Sequence, residues 1–339
     1  MRRSTSVVWA AFVLGIPVIS LAPSSGAQGA EPASCEGRVA TIVGTPGPDD
    51  ITGTAGDDVI AGLGGADRID SLDGNDRICG DAGADVITGG PGTDRIWGGE
   101  DRDHIRGLAD NDGLHGGGGD DVVSGGTGDD RVVGNGGHNT VLGGTGRDRL
   151  PYSLTFYDGQ MGHNVIRAGA GADAVIFGPG DDVYGGDDDD DIRGLLEPGS
   201  GHVFDVGPGA NFAQISTTPG WSHLDVSLGD GTLDADGSVT PLAGSFSEVF
   251  VGCDGAASVT VTGTDGPDFI NAFGTNPDVG ALLYGLGGDD VLGGNCGDDT
   301  LNGGPGHDRG LSTTGTDTCI SIEAPWDELN GTGCSVTIP

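Results

Sequence analysis

Aspartate recurs at a fixed interval in this chain. Cut every nine residues from Gly44 to Pro151, the sequence gives twelve units without a gap, and the sixth residue is aspartate in eleven of them, with Asn139 the exception. The first residue is glycine in eleven units, broken by Ser71, and the fourth is glycine in ten, broken by Asp101 and Asp110. Glycine-rich turns expose backbone carbonyls, and the sixth residue adds a carboxylate. Oxygen donors of these two kinds suit calcium, a hard cation that takes six to eight oxygens in flexible geometry. Magnesium demands tighter geometry and keeps its water, so it fits a cage made only of protein less well.

The elements that position these aspartates follow from the other places in the unit. The eighth residue is aliphatic in all twelve units, from Ile51 to Leu150. Short runs such as "DRI" and "DVI" favour an extended strand, whose alternation sends the eighth residue to one face and the seventh and ninth to the other. The six residues before the strand can turn sharply because glycine accepts positive φ. One turn and one strand reverse the chain, so two units complete a coil. Stacked coils bring strands to about 4.8 Å, within backbone pairing distance. The aliphatic column meets inside. That core is thin, and stacking piles carboxylate on carboxylate; a cation between turns repairs both deficits. Arginine recurs at the seventh place (Arg68, Arg77, Arg95, Arg131, Arg149) and is expected to face solvent.

Composition agrees. The 339 residues include 71 glycines, aromatics are 5%, and the net charge is −38. All 14 basic residues are arginine. So acidic a chain is a poor partner for nucleic acid or an anionic membrane surface and a good one for cations. Arg2 and Arg3, an apolar run from Val7 to Leu21 and small residues at Ser25 and Ala27 read as a signal peptide over 1–27, and hence as a secreted, extracellular protein with no membrane span after cleavage. An even count of six cysteines fits disulfides in that compartment. Fifteen pairings are open; proximity favours Cys319 with Cys334, with Cys35–Cys79 and Cys253–Cys296 completing a sequential set.

The nonapeptide G-G-x-G-x-D-x-U-x resembles the RTX, or haemolysin-type, calcium-binding repeat. The resemblance covers residues 44–151, with weaker units beyond. It implies an all-β fold, a right-handed parallel β-roll or β-solenoid of nonapeptide repeats, with Ca2+ between the turns of neighbouring coils. It also implies that turn carbonyls and the sixth-place aspartates hold the metal: Asp49, Asp58, Asp67, Asp76, Asp85, Asp94, Asp103, Asp112, Asp121, Asp130 and Asp148. Twelve turns in two stacks leave ten gaps, the ceiling on sites. Asn139 retains an oxygen but loses a charge, and Asp101, Arg102 and Asp110 are expected to disturb units seven and eight.

Weaker units follow. "GQMGHNVIR", "AGAGADAVI" and "FGPGDDVYG" place Asn164, Asp173 and Asp182 sixth, and the Asp187–Asp191 run fits a further turn with Asp190 in place, or a solvated acidic loop. The pattern returns with Asp268, Asp290, Asp299 and Asp308, and fades where Gly310 takes the aliphatic place. The expected organisation is a cap over 28–43, the regular roll over 44–151 and degenerate repeats over 152–193. An irregular β segment over 194–262, a second set of repeats over 263–320 and a cysteine-containing cap over 321–339 complete it. "DADGSV" (234–239) resembles part of an EF-hand loop, but Thr232 and Ala243 stand at its first and twelfth places.

No catalytic motif accompanies the repeats: neither H-E-x-x-H nor G-x-S-x-G occurs. The expectation is a non-catalytic calcium-binding protein with a structural, surface or interaction role and an extracellular partner left unidentified. Two alternatives stand: an extracellular hydrolase or protease with a site in 194–262, where His202 or His223 could meet Asp205 or Asp225, and an adhesin using the outward strand faces.

Overall fold

Each short strand of the repeat pairs in parallel with the strand two units away. In the computed structural model Ile51 lies beside Ile69, Ile60 beside Ile78 and Ile105 beside Val123, always two nonapeptides apart. Successive strands alternate between two sheets. One sheet has fifteen strands, from Ile42–Val43 to Ala324–Pro325. The other starts at Asp50–Thr52 and ends at Ser335–Thr337. The described residues are 32–151, 163–196, most of 203–325, and 335–337. No helix occurs among them. The fold is an all-β parallel β-solenoid, and the chain from Ala33 onward clusters as one unit.

The core is the single aliphatic column expected from the eighth place, every member buried from Ile51 to Leu150. The second inward place of each strand is the glycine that opens the next unit, so the regular roll buries one large side chain per strand. Residues 203–262 are built differently. There both inward places are apolar, as in Ala213 with Ile215, Leu224 with Val226, Val249 with Val251, and Val259 with Val261. Phe177 and Phe204 pack in the same core with ring centroids 5.5 Å apart. Where the aspartate repeat lapses, apolar burial rises. One antiparallel excursion interrupts the second sheet: Leu224–Ser227 pairs with Thr232–Ala235, which pairs with Ser238–Ala243. Asp234, Ala235, Ser238 and Val239 of the EF-hand-like stretch thus pair as strands of this meander.

Two disulfides follow the sequential set, Cys35–Cys79 and Cys253–Cys296. Cys319 is also disulfide-bonded, while Cys334 lies outside the described residues. The proposed signal peptide and His202 also lie outside them. Gly310 does not end the solenoid. The space a side chain would take there is bordered by Cys319, Ile322 and Leu301, and strand Thr318–Ile320 continues the sheet.

Candidate metal-binding columns

The aspartates form two continuous columns. The backbone N–H of Asp49 donates to Asp67 Oδ1, and the same bond repeats from Asp67 to Asp85, Asp85 to Asp103 and Asp103 to Asp121, at 2.8–2.9 Å. The other column runs from Asp58 through Asp76, Asp94, Asp112, Asp130, Asp148, Asp173 and Asp190 to Asn211. Asp268, Asp290 and Asp308 form a third run, and Asp299 and Asp317 pair in the same way. Beyond the first residue of each run, the Oδ1 is therefore a rung of the fold. Units seven and eight keep the ladder: Asp101 and Asp110 take φ of 76° and 72° in the left-handed region that aspartate tolerates.

The second oxygen carries the chemistry. Oδ2 of Asp67, Asp76, Asp85, Asp94, Asp103, Asp112, Asp121, Asp130, Asp148, Asp173, Asp190 and Asp290 is buried with no hydrogen-bond donor. A buried carboxylate oxygen without a partner is costly. The first-place glycines show what surrounds it. A Cβ built on Gly80 would overlap both Asp85 Oδ2 and the carbonyl oxygen of Gly98 in the next coil, and Gly98, Gly116 and Gly125 repeat the arrangement. Glycine is required there because a carboxylate and a carbonyl oxygen converge on its Cα. A row of acceptors with no donor fits a cation. Among the described residues no three His, Cys, Asp or Glu side chains gather closely enough to hold an ion alone. Backbone carbonyls must supply much of any coordination, which favours a hard ion over zinc.

Charge in these columns is stored at a cost. Burial, reinforced by the carboxylates of neighbouring coils, pushes Asp112 up to about 8 and Asp94 and Asp103 to about 7. Asp173 also rises to about 7, for the same reasons. The backbone hydrogen bond to each opposes the rise without cancelling it.

Not every expected aspartate has a vacant oxygen. Thr54 donates to Asp58 Oδ2 from its N–H at 2.7 Å and from its hydroxyl at 2.9 Å. Thr264 does the same for Asp268, and the Thr45 N–H bonds Asp49 Oδ2. A threonine after the first glycine thus closes the turn with its own donors. The Cys296 N–H reaches Asp299 Oδ2 at 3.4 Å. Asn139 donates its amide to Asn135 O, filling with a donor the space where aspartates leave an acceptor.

One expected position is corrected. The column residue after Asn164 is Asp181, not Asp182. The turn before it is a residue short, and Val183, not Tyr184, points inward. Asp182 opens the strand, and its Oδ1 accepts from the Val203 N–H. The spacing of two between column carboxylate and buried aliphatic identifies Asp181, and it also identifies Asp317, two residues before buried Cys319, which the repeat pattern missed.

Outside the columns, His223 and Asp225 do meet. His223 Nε2 lies 2.7 Å from Asp225 Oδ2, and its Nδ1 lies 2.9 Å from Ser258 Oγ, which immediately precedes the adjacent parallel strand.

A parallel β-solenoid whose glycine turns carry columns of carboxylates, most of them with one buried oxygen lacking a donor, is the class that fold and site define. The family model for the RTX calcium-binding nonapeptide repeat (4 copies) matches residues 43–78, 80–114, 115–150, 158–184 and 282–318, about half of the chain. The chain belongs to that family. Comparison with curated proteins finds no match.

Proposed function

We propose that this is a secreted, non-catalytic protein whose roll is held together by Ca2+, and that it serves a structural, surface or interaction role. The observation that carries this reading is the row of buried Oδ2 atoms without donors, with carbonyl oxygens of the next coil beside them. Asp67, Asp76, Asp85, Asp94, Asp103, Asp112, Asp121, Asp130 and Asp148 are the ligands proposed for the regular roll, with Asp173, Asp190, Asp290 and Asp308 beyond it. Asp49, Asp58, Asp268 and Asp299 are weaker candidates, because turn N–H groups already occupy their second oxygen. Bound calcium supplies the positive charge that the stacked carboxylates lack, so its binding energy adds to folding. Affinity on the order of 10⁻⁴–10⁻³ M suits an extracellular module. The test is a calcium titration followed by circular dichroism with a metal count. β-Structure that grows with calcium and several ions per chain support the reading; a spectrum indifferent to calcium refutes it.

A second reading rests on Asp225, His223 and Ser258. A hydroxyl, an imidazole and a carboxylate are joined in series, as in a nucleophile, its general base and the group that orients the base, but with the ring nitrogens exchanged: Nδ1 faces the hydroxyl and Nε2 the carboxylate. Both His223 and Asp225 side chains are 45% exposed, so the site lacks the dry surroundings that strengthen such a relay. A fluorophosphonate probe decides: labelling lost in S258A favours an acyl-transfer enzyme, and no labelling of the calcium-loaded chain removes this reading.

A further inference from the structure

We propose that a cleft at the start of the roll binds an oxyanion through Arg38, Arg77 and Arg95. In a chain of net charge −38 these three guanidinium groups line one cleft of about 370 Å³. The cleft is built rather than incidental. Arg77 and Arg95 stand side by side at the seventh place of neighbouring coils. Arg38 comes from a short hairpin, Ser34–Cys35 with Arg38–Val39, which packs on strands Val59–Ala61 and Arg77–Ala82 and is pinned there by the Cys35–Cys79 disulfide. The Arg77 guanidinium lies over the Trp97 ring, 5.2 Å from its centroid, which fixes its position while leaving its edge donors available.

Donor and acceptor accounting identifies the ligand class. Asp57, Asp58 and Asp76 also line the cleft; Asp58 and Asp76 belong to the metal column, and Asp57 holds Asn75 through one oxygen and keeps the other toward solvent. Asp57 Oδ1 accepts from the Asn75 N–H and side-chain amide, Asp58 Oδ2 from Thr54, and Asp76 Oδ1 from the Asp58 N–H. None of the three arginines forms an ion pair within 4.0 Å among the described residues. Each guanidinium carries five donors and no acceptor. Three guanidinium groups without an ion pair thus give the cleft a large unused donor capacity, and its matching ligand is a carboxylate, sulfate or phosphate group, for which arginine forks are well shaped.

The test uses the calcium-loaded full chain in isothermal titration calorimetry at constant ionic strength, with sodium sulfate and, separately, sodium glucuronate. Saturable binding of one anion per chain is expected, weakened about tenfold or more in R38A/R95A, the loss expected when most of a multidentate anion site is removed. R131A/R149A, which removes two arginines of the same row outside the cleft, should bind as the unchanged chain does. Circular dichroism in calcium checks that both variants are folded. Tighter binding of sulfate assigns the site to a free anion, and tighter binding of glucuronate to a carboxylated saccharide. No saturable heat with either anion, or an equal loss in both double variants, overturns the proposal.

Discussion

Replacing Asp112 by asparagine should change sign with calcium. Asp112 sits mid-column, its N–H donating to Asp130 Oδ1 while its own Oδ1 accepts from the Asp94 N–H and its Oδ2 has no donor. Asparagine keeps the size and the Oδ1 rung but removes the charge. In metal-free buffer that charge is a burden, since burial and the carboxylates of Asp94 and Asp130 push the Asp112 pKa up to about 8. D112N should therefore be at least as stable as the unchanged chain without metal. In calcium the variant loses one site. A site occupied at ten times its Kd contributes about 1.4 kcal/mol, and at a hundred times about 2.7 kcal/mol. D112N should lose stability in that range and bind one ion fewer. Urea unfolding with and without calcium, with a metal count, measures both. An equal loss in the two buffers would show that the carboxylate serves the fold alone and refute the reasoning.

Three further outcomes are expected. Without metal, Asp94, Asp103, Asp112 and Asp173 have folded-state pKa values of about 7 to 8, above the ordinary carboxylate value. The metal-free roll should thus be more stable near pH 5 than near pH 8, losing stability as pH rises from the ordinary carboxylate value through these raised ones, whereas calcium affinity should rise over the same interval; thermal melts and titrations at the two pH values check the opposite slopes. G80A places a methyl group against Asp85 Oδ2 and Gly98 O and should cost about 1–3 kcal/mol together with one bound ion, while G118A, with nothing within 4 Å of the added carbon, should be silent in the metal count. T54A removes a donor to Asp58 and should cost about 0.5–1.5 kcal/mol by the same amount with and without calcium, since the threonine closes that turn independently of metal; a penalty seen only in calcium would show that Asp58 is a ligand.

Much of the architecture was legible because a strict period leaves few alternatives. An aliphatic residue two places after each aspartate sets both strand register and column, and the pairing of Ile60 with Ile78 shows the rule that the regular roll follows. The nine-residue count, not the spacing of two, fails at 177–184, where a turn one residue short moves the column from Asp182 to Asp181. Counting nine from the last unit missed this; counting back two from buried Val183 finds it. Asp317 escaped for a related reason: a cysteine fills the aliphatic place.

The sequence by itself determined the repeating coil, its inward column and the row of carboxylates, because those depend on local alternation and on residues a fixed distance apart. Tertiary structure decided which carboxylates keep an unsatisfied oxygen, because that depends on the donors that the folded turn brings to it: Thr54 reaches Asp58, while nothing reaches Asp112 Oδ2. It also decided that His223 meets Ser258 and that Arg38 shares a cleft with Arg77. Both pairs are distant in sequence, and only strand pairing in one case and a disulfide-pinned hairpin in the other bring them together.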